Sequence, residues 1–260
     1  MLTKGKKIYN VLRRFVIYTL ILGVLFTLAI NSKSTTVKVI LIVIFIVSLV
    51  IILVLEYYKY LFNKSIDSLN DDCDPEKGKQ YFDKLMKLDR FNLYGKNKFA
   101  FDILYNLSIN NPKECIHIIN KEAKYFSSSI NNILIKNTTL MIVYLLTENK
   151  NMVKKAYKEI LEIKNDKAKF IKASSSFNWD ELEAMYMLSN EKYNKSVKIF
   201  KSVNTNNMNN REKTQYYYFY SLALINSNKS KNAKEMLNQC IEIGNKTTFA
   251  KSAKKLLANI

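Results

Sequence analysis

His117 is the one histidine in 260 residues, so any scheme that uses an imidazole as general base or metal ligand has to be built around it. At helical spacing a metal would need further donors three or four residues away. Glu114 and Lys121 stand there, which makes no ligand set. No nucleophile sits in a recognisable turn, so neither a Ser-His-Asp nor a Cys-His arrangement is expected. Cys73, Cys115 and Cys240 are far apart, odd in number and outside any CxxC pattern. They read as reduced thiols packed as small apolar groups. Carboxylates concentrate at Asp71, Asp72, Asp74 and Glu76, without the alternating spacing and central glycine of a calcium loop. A solvated linker that ends in a helix cap is the plainer reading. Gly5, Gly23, Gly78, Gly95 and Gly244 are too scattered for GxGxxG or GxxxxGK[ST]. The expectation is a protein with no catalytic residue, no metal and no cofactor, and not an enzyme.

The elements that carry these residues are legible from composition and periodicity. With 5 Gly and 2 Pro, the chain lacks the turn residues a hairpin-rich sheet requires, so the fold class expected is all-α. Heavy use of Lys, Asn, Ile and Tyr points to an AT-rich, bacterial genome. Phe15 to Ile30 is a run of 16 residues without a charge, and Val39 to Leu55 a second run of 17 with Ser48 its only polar member. With their flanks both reach the roughly 20 residues that a bilayer core asks of a helix. The expected spans are about 13–31 and 38–58. The short connection makes them an antiparallel hairpin.

Lys4, Lys6, Lys7, Arg13 and Arg14 precede the first uncharged run, against Lys33 and Lys38 between the two runs. Retention of basic residues on the cytoplasmic side then predicts a multi-pass protein of the cell membrane with N-terminus and C-terminal domain both inside. A cleaved signal peptide fits poorly, because a second span follows within ten residues. The runs Phe15 to Ile30 and Val39 to Leu55 hold no Asp, Glu, Lys, Arg or His, so anchoring is expected and transport is not. The expected division is 1–62 for the basic segment and hairpin, 63–75 for a polar linker, and 76–260 for a helical domain.

Within that domain Asp74-Pro75-Glu76 marks a helix start, and Asn111-Pro112-Lys113-Glu114 and Asn178-Trp179-Asp180-Glu181 have capping-box spacing. Apolar residues such as Phe99, Ile103 and Leu107 recur at helical period. The predicted helices are mostly twelve to eighteen residues with tight turns, the form of a solenoid of antiparallel pairs. Tyr217, Tyr220, Ser221 and Leu224, then Ala233, Leu237 and Cys240, set large residues around small ones in two consecutive helices. Tyr193, Ser196, Phe200 and Val203 repeat the second half; Ser196 and Ala233 lie 37 residues apart. Over residues 178–245 this pattern resembles the tetratricopeptide repeat, whose period is about 34. The family's Trp, Gly and closing Pro are absent. Upstream, Ala156 and Ile160 are read as the comparable positions of a looser unit.

The resemblance implies a cytoplasmic scaffold or adaptor whose groove binds a protein or peptide. Its candidate groove residues are Gln215, Tyr218, Leu222, Asn226 and Glu181. The alternatives are an accessory subunit, or an immunity or stress protein, of a bacterial membrane complex recognised through its spans, and last an enzyme with an unrecognised site. Residues 56–260 carry 34 basic against 22 acidic side chains, which suits an anionic membrane surface. No basic stripe or stacking platform marks a nucleic-acid site.

Overall fold

The computed structural model describes residues 4–173 and 177–260, and the side chains of all of these except 4–8, 10 and 11. Among these residues there are fourteen helices and no strand. The chain divides into two compact units, 1–63 and 64–260.

The first unit holds α1 (Lys4–Asn31) and most of α2 (Thr35–Asn70), joined through Ser32 to Ser34. Leu12–Asn31 and α2 are long and apolar enough to cross a membrane. Their Ile, Leu and Val side chains lie bare, with Leu20 and Leu53 each 62% exposed. Contacts that advance along α1 retreat along α2, so the helices run antiparallel. Arg14 Nε is 3.6 Å from Glu56 Oε1, Tyr18 donates to the same oxygen at 3.0 Å, and the rings of Phe26 and Phe45 are 6.2 Å apart. The hydroxyls of Thr19 and Thr27 bond back to Phe15 and Gly23 carbonyls at 2.9 and 2.8 Å, so they need no water.

Residues 63–75 differ from the polar linker their composition predicts. The helix α2 continues to Asn70, and Ser65, Ser68 and Leu69 along it are buried. The reason is close packing. A Cβ at Gly78, in α3 (Pro75–Leu88), would lie 3.0 Å from the Ser65 carbonyl oxygen and 3.3 Å from Leu69 Cβ. Small serines opposite a glycine let two backbones approach, and small polar residues in such a contact look like linker in a hydropathy pattern. Asp74 accepts from the Lys77 amide at 3.2 Å as the cap of α3.

Four helical pairs follow: α4 (Gly95–Ser108) with α5 (Pro112–Lys121), which runs on into α6 (Ala123–Phe126); α7 (Ile130–Leu146) with α8 (Lys150–Asn165), then α9 (Lys167–Lys172); α10 (Trp179–Ser189) with α11 (Tyr193–Ser202); and α12 (Asn210–Asn226) with α13 (Ser230–Gly244). A last helix, α14 (Thr248–Leu257), packs on α13 and α12. All four pairs turn the same way. Asn110, Glu148, Glu191 and Asn228 have φ of 57, 56, 59 and 59°, in the left-handed region. The amide after each reaches back to the carbonyl of Asn106, Tyr144, Met187 or Leu224 at 2.8, 2.8, 3.0 and 2.9 Å, a Schellman closure. Asparagine tolerates this conformation; for the two glutamates it costs about 1–2 kcal/mol each.

Counting on from the left-handed residue gives the register of each second helix. Its fifth and ninth successors are Cys115 and Ile119, Val153 and Tyr157, Ser196 and Phe200, Ala233 and Leu237, all buried. Ser196 and Ala233 are thus equivalent in this register, and Val153, rather than Ala156, is their counterpart in the second pair. Ser196 is fully buried and its hydroxyl bonds the Ala184 carbonyl across the pair at 2.8 Å.

Along the chain first helices pack in succession, α4 on α7, α7 on α10 and α10 on α12, while α3 packs on α4. The segment that leaves α2 then meets the last pair. Asn70 Oδ1 accepts from Arg211 Nε at 2.9 Å, the Asp71 carbonyl from Asn210 at 2.7 Å, and the Asp72 carbonyl from Asn245 at 2.8 Å. The Cys73 carbonyl accepts from the Lys246 amide at 3.1 Å, and Asp74 pairs with the Lys246 ammonium at 2.6 Å. Residues 70–74, which lead into α3, are therefore bonded to the last pair and the turn after it, and the series of helices closes on itself.

Candidate functional site

Closure leaves a cavity of about 660 Å³ among α4, α7, α10 and α12, the first helix of each pair. Leu104 and Leu107 of α4, Ile135 and Ile142 of α7 and Trp179 of α10 give it apolar walls. Polar groups converge in it: Asn70, Thr138, Glu181, Arg211 and Gln215. Asp180, Asn204 and Asn207 are exposed at its rim, whereas Glu181, Arg211 and Gln215 are buried. A mostly apolar pocket with a few convergent polar groups is the form a binding site takes.

Glu181 is the unusual member. Asn178 caps α10 by accepting from the Glu181 amide at 3.2 Å, as the sequence predicts. The third residue of a capping box should then turn its own side chain back to the cap. Asn209 and Glu212 complete such a box at α12. The Glu181 carboxyl is instead buried, and its Oε1 has no hydrogen-bond partner. Burial pushes this carboxyl up to about 8, Glu212 adds to the effect, and Arg211 and a hydrogen bond from Gln215 oppose it. The dipole of α10, worth about 0.3–1 kcal/mol to a carboxylate in the first turn, offsets only a minor part. At neutral pH the group is mostly protonated. Thr138 Oγ1, also in the cavity lining, is a second buried polar atom without a partner. Arg211 is held by Asn70 and lies 3.7 Å from Glu212 Oε1.

Of the candidate residues read from the sequence, Gln215 and Glu181 line the cavity, and Tyr218, Leu222 and Asn226 do not. Tyr218 is half-buried, with its ring 5.3 Å from Phe249 of α14. Leu222 is half-buried, and exposed Asn226 donates to the Leu222 carbonyl at 2.8 Å. An open groove would leave Tyr218 outward. Here α14 folds back on α12 and covers its ring. Arg211 was missed, though it stands one helical turn before Gln215 and shares its face.

His117 is exposed on α5. All three cysteines are buried and unbridged. Among the described residues no group of three or more His, Cys, Asp or Glu side chains is arranged to hold a metal ion. Asp72 of the acidic cluster pairs with Lys77 at 3.0 Å and Asp74 caps α3. A second cavity, among α5, α7 and α8, is lined by Lys124, Lys136, Lys155 and Glu159. The chain matches no known protein family, no curated protein and no solved structure.

Proposed function

We propose that this chain is a membrane-anchored interaction module, in which α1 and α2 span the bilayer as a hairpin and a tetratricopeptide-like series of helical pairs binds a polypeptide segment in the cytoplasm. The observation that carries the binding half is the convergence of four first helices on one cavity that holds a buried carboxyl with one oxygen, Glu181 Oε1, unpartnered. In a solenoid, first helices line the concave binding surface. The bare apolar faces of α1 and α2 support the anchoring half. The excess of basic residues outside the spans adds attraction to an anionic leaflet, about 1 kcal/mol for each one close to the surface.

Orientation is tested with single introduced cysteines in intact cells. The native thiols are buried and silent to reagent, so the reporters are Ser34→Cys in the connection and Lys231→Cys, an exposed position on α13. An impermeant maleimide added outside is expected to label Ser34→Cys and to label Lys231→Cys only after the membrane is opened. Labelling of Lys231→Cys in intact cells would overturn the cytoplasmic assignment.

A further inference from the structure

We propose that the polypeptide segment held in the central cavity presents a lysine or arginine side chain, whose cationic head seats against the Glu181 carboxyl, so that the cavity selects basic over neutral and acidic side chains. This rests on the binding reading above and names the ligand's chemistry. Buried polar atoms are almost always hydrogen-bonded, and each exception calls for a reason, of which a ligand at the site is one. Glu181 Oε1 is such an exception, at 9% exposure for the residue and in the lining of a cavity.

Charge decides which partner. The chain carries a formal +19, yet the ionisable side chains lining this cavity are the acids Asp180, Glu181 and Glu212 against Arg211 alone. Arg211 is itself tied to Asn70 and lies beside Glu212, so its guanidinium is balanced. The apolar walls made by Leu104, Ile135 and Trp179 suit the alkyl stem of a basic side chain, which keeps only its head polar. A cation over the Trp179 ring would gain a further attraction.

Seating a cation expels a proton. The carboxyl that is mostly protonated in the free protein ionises against the arriving ammonium or guanidinium, and its proton passes to water. The groups that face it are Asp180 beside it on α10 and Arg211, Glu212 and Tyr216 on α12, whereas α4 and α7 contribute only uncharged residues to the cavity. The lysines packed against α10 from α8 and α11, Lys164 and Lys195, pair with Glu183. Affinity for a cation therefore rises with pH, about tenfold per pH unit, up to the pKa of Glu181 in the free protein and levels off above it. A neutral ligand that takes a hydrogen bond from the protonated acid has the opposite dependence.

The test is calorimetric titration of the full chain in detergent with acetyl-Ala-Lys-Ala-amide, its norleucine and glutamate counterparts, and butylamine. The lysine peptide is expected to bind at least tenfold more tightly than the norleucine peptide and to release close to one proton at pH 7. Glu181→Gln is expected to erase both the preference and the proton release. Equal or tighter binding of the norleucine or glutamate peptide, or a lysine preference that survives Glu181→Gln, would overturn the assignment while leaving the cavity a peptide site. Butylamine binding as tightly as the lysine peptide would overturn the polypeptide source. Failure of all three peptides to bind would sink the peptide-binding reading itself.

Discussion

Replacing Ala233 by glutamate is expected to unfold the last helical pair of the full chain. Ala233 has no exposed surface and is the fifth residue after the left-handed turn of α12 and α13, where the two helices are in close contact. Its counterpart Ser196 fills the same position with a hydroxyl bonded to the facing helix. A glutamate there has neither room nor partner, and a buried charge without one costs roughly 3–5 kcal/mol, a large share of the 5–15 kcal/mol that holds a typical domain folded. The neighbouring Lys234 is exposed, so Lys234→Glu controls for charge and should fall within about 0.5 kcal/mol of the parent. Far-ultraviolet circular dichroism melts of the two variants in detergent make the comparison. Superimposable melts would mean that the packing of α13 on α12 is wrong.

Glu181→Gln is expected to act in the opposite direction and to stabilise the protein increasingly as pH rises. The Glu181 carboxyl is raised from 4.5 to about 8 in the folded protein. Between those values the folded state holds a proton that the unfolded chain has released. The contribution is thus fully present below pH 4.5 and is lost as pH rises through about 8, a change of the order of 4–5 kcal/mol. Glutamine keeps the shape and the neutral charge of the protonated acid and has no proton to lose. Parent and variant should melt together near pH 4.5, with the variant progressively higher from there to pH 8.5. A gap that stays constant over that range would mean that Glu181 is ionised and solvated in the free protein.

Much of the fold is legible in the residues because its causes are local. Asp74, Asn111 and Asn178 each cap a helix, accepting from the amide three residues on, as their side-chain chemistry dictates. The two apolar helices follow from length and composition alone. What escapes a reading of the chain comes from contacts distant in sequence or from backbone states that a residue type does not reveal. Glu148 and Glu191 occupy left-handed turns where glycine would be the expected marker, so the regular recurrence of the turn is hidden. The ring closure depends on bonds such as Asn245 to the Asp72 carbonyl, across 173 residues. Glu181 has capping-box spacing and a capped helix, and only its burial separates a surface cap from a cavity acid. Tyr218 lies where an open groove would begin, and α14 covers it.

Site-specific photocrosslinking in native membranes is the most direct measure of whether the cavity holds a polypeptide. A photoreactive residue at Asn207, on the exposed rim, should capture a discrete protein partner, and the adduct should vanish when Ala100→Trp fills the cavity from α4. The same probe at Asn238, exposed on α13, should capture nothing of that mass. Adducts that form only from Val43, on the bare apolar face of α2, and persist with Ala100→Trp would contradict a binding cavity and make the hairpin itself the recognised surface.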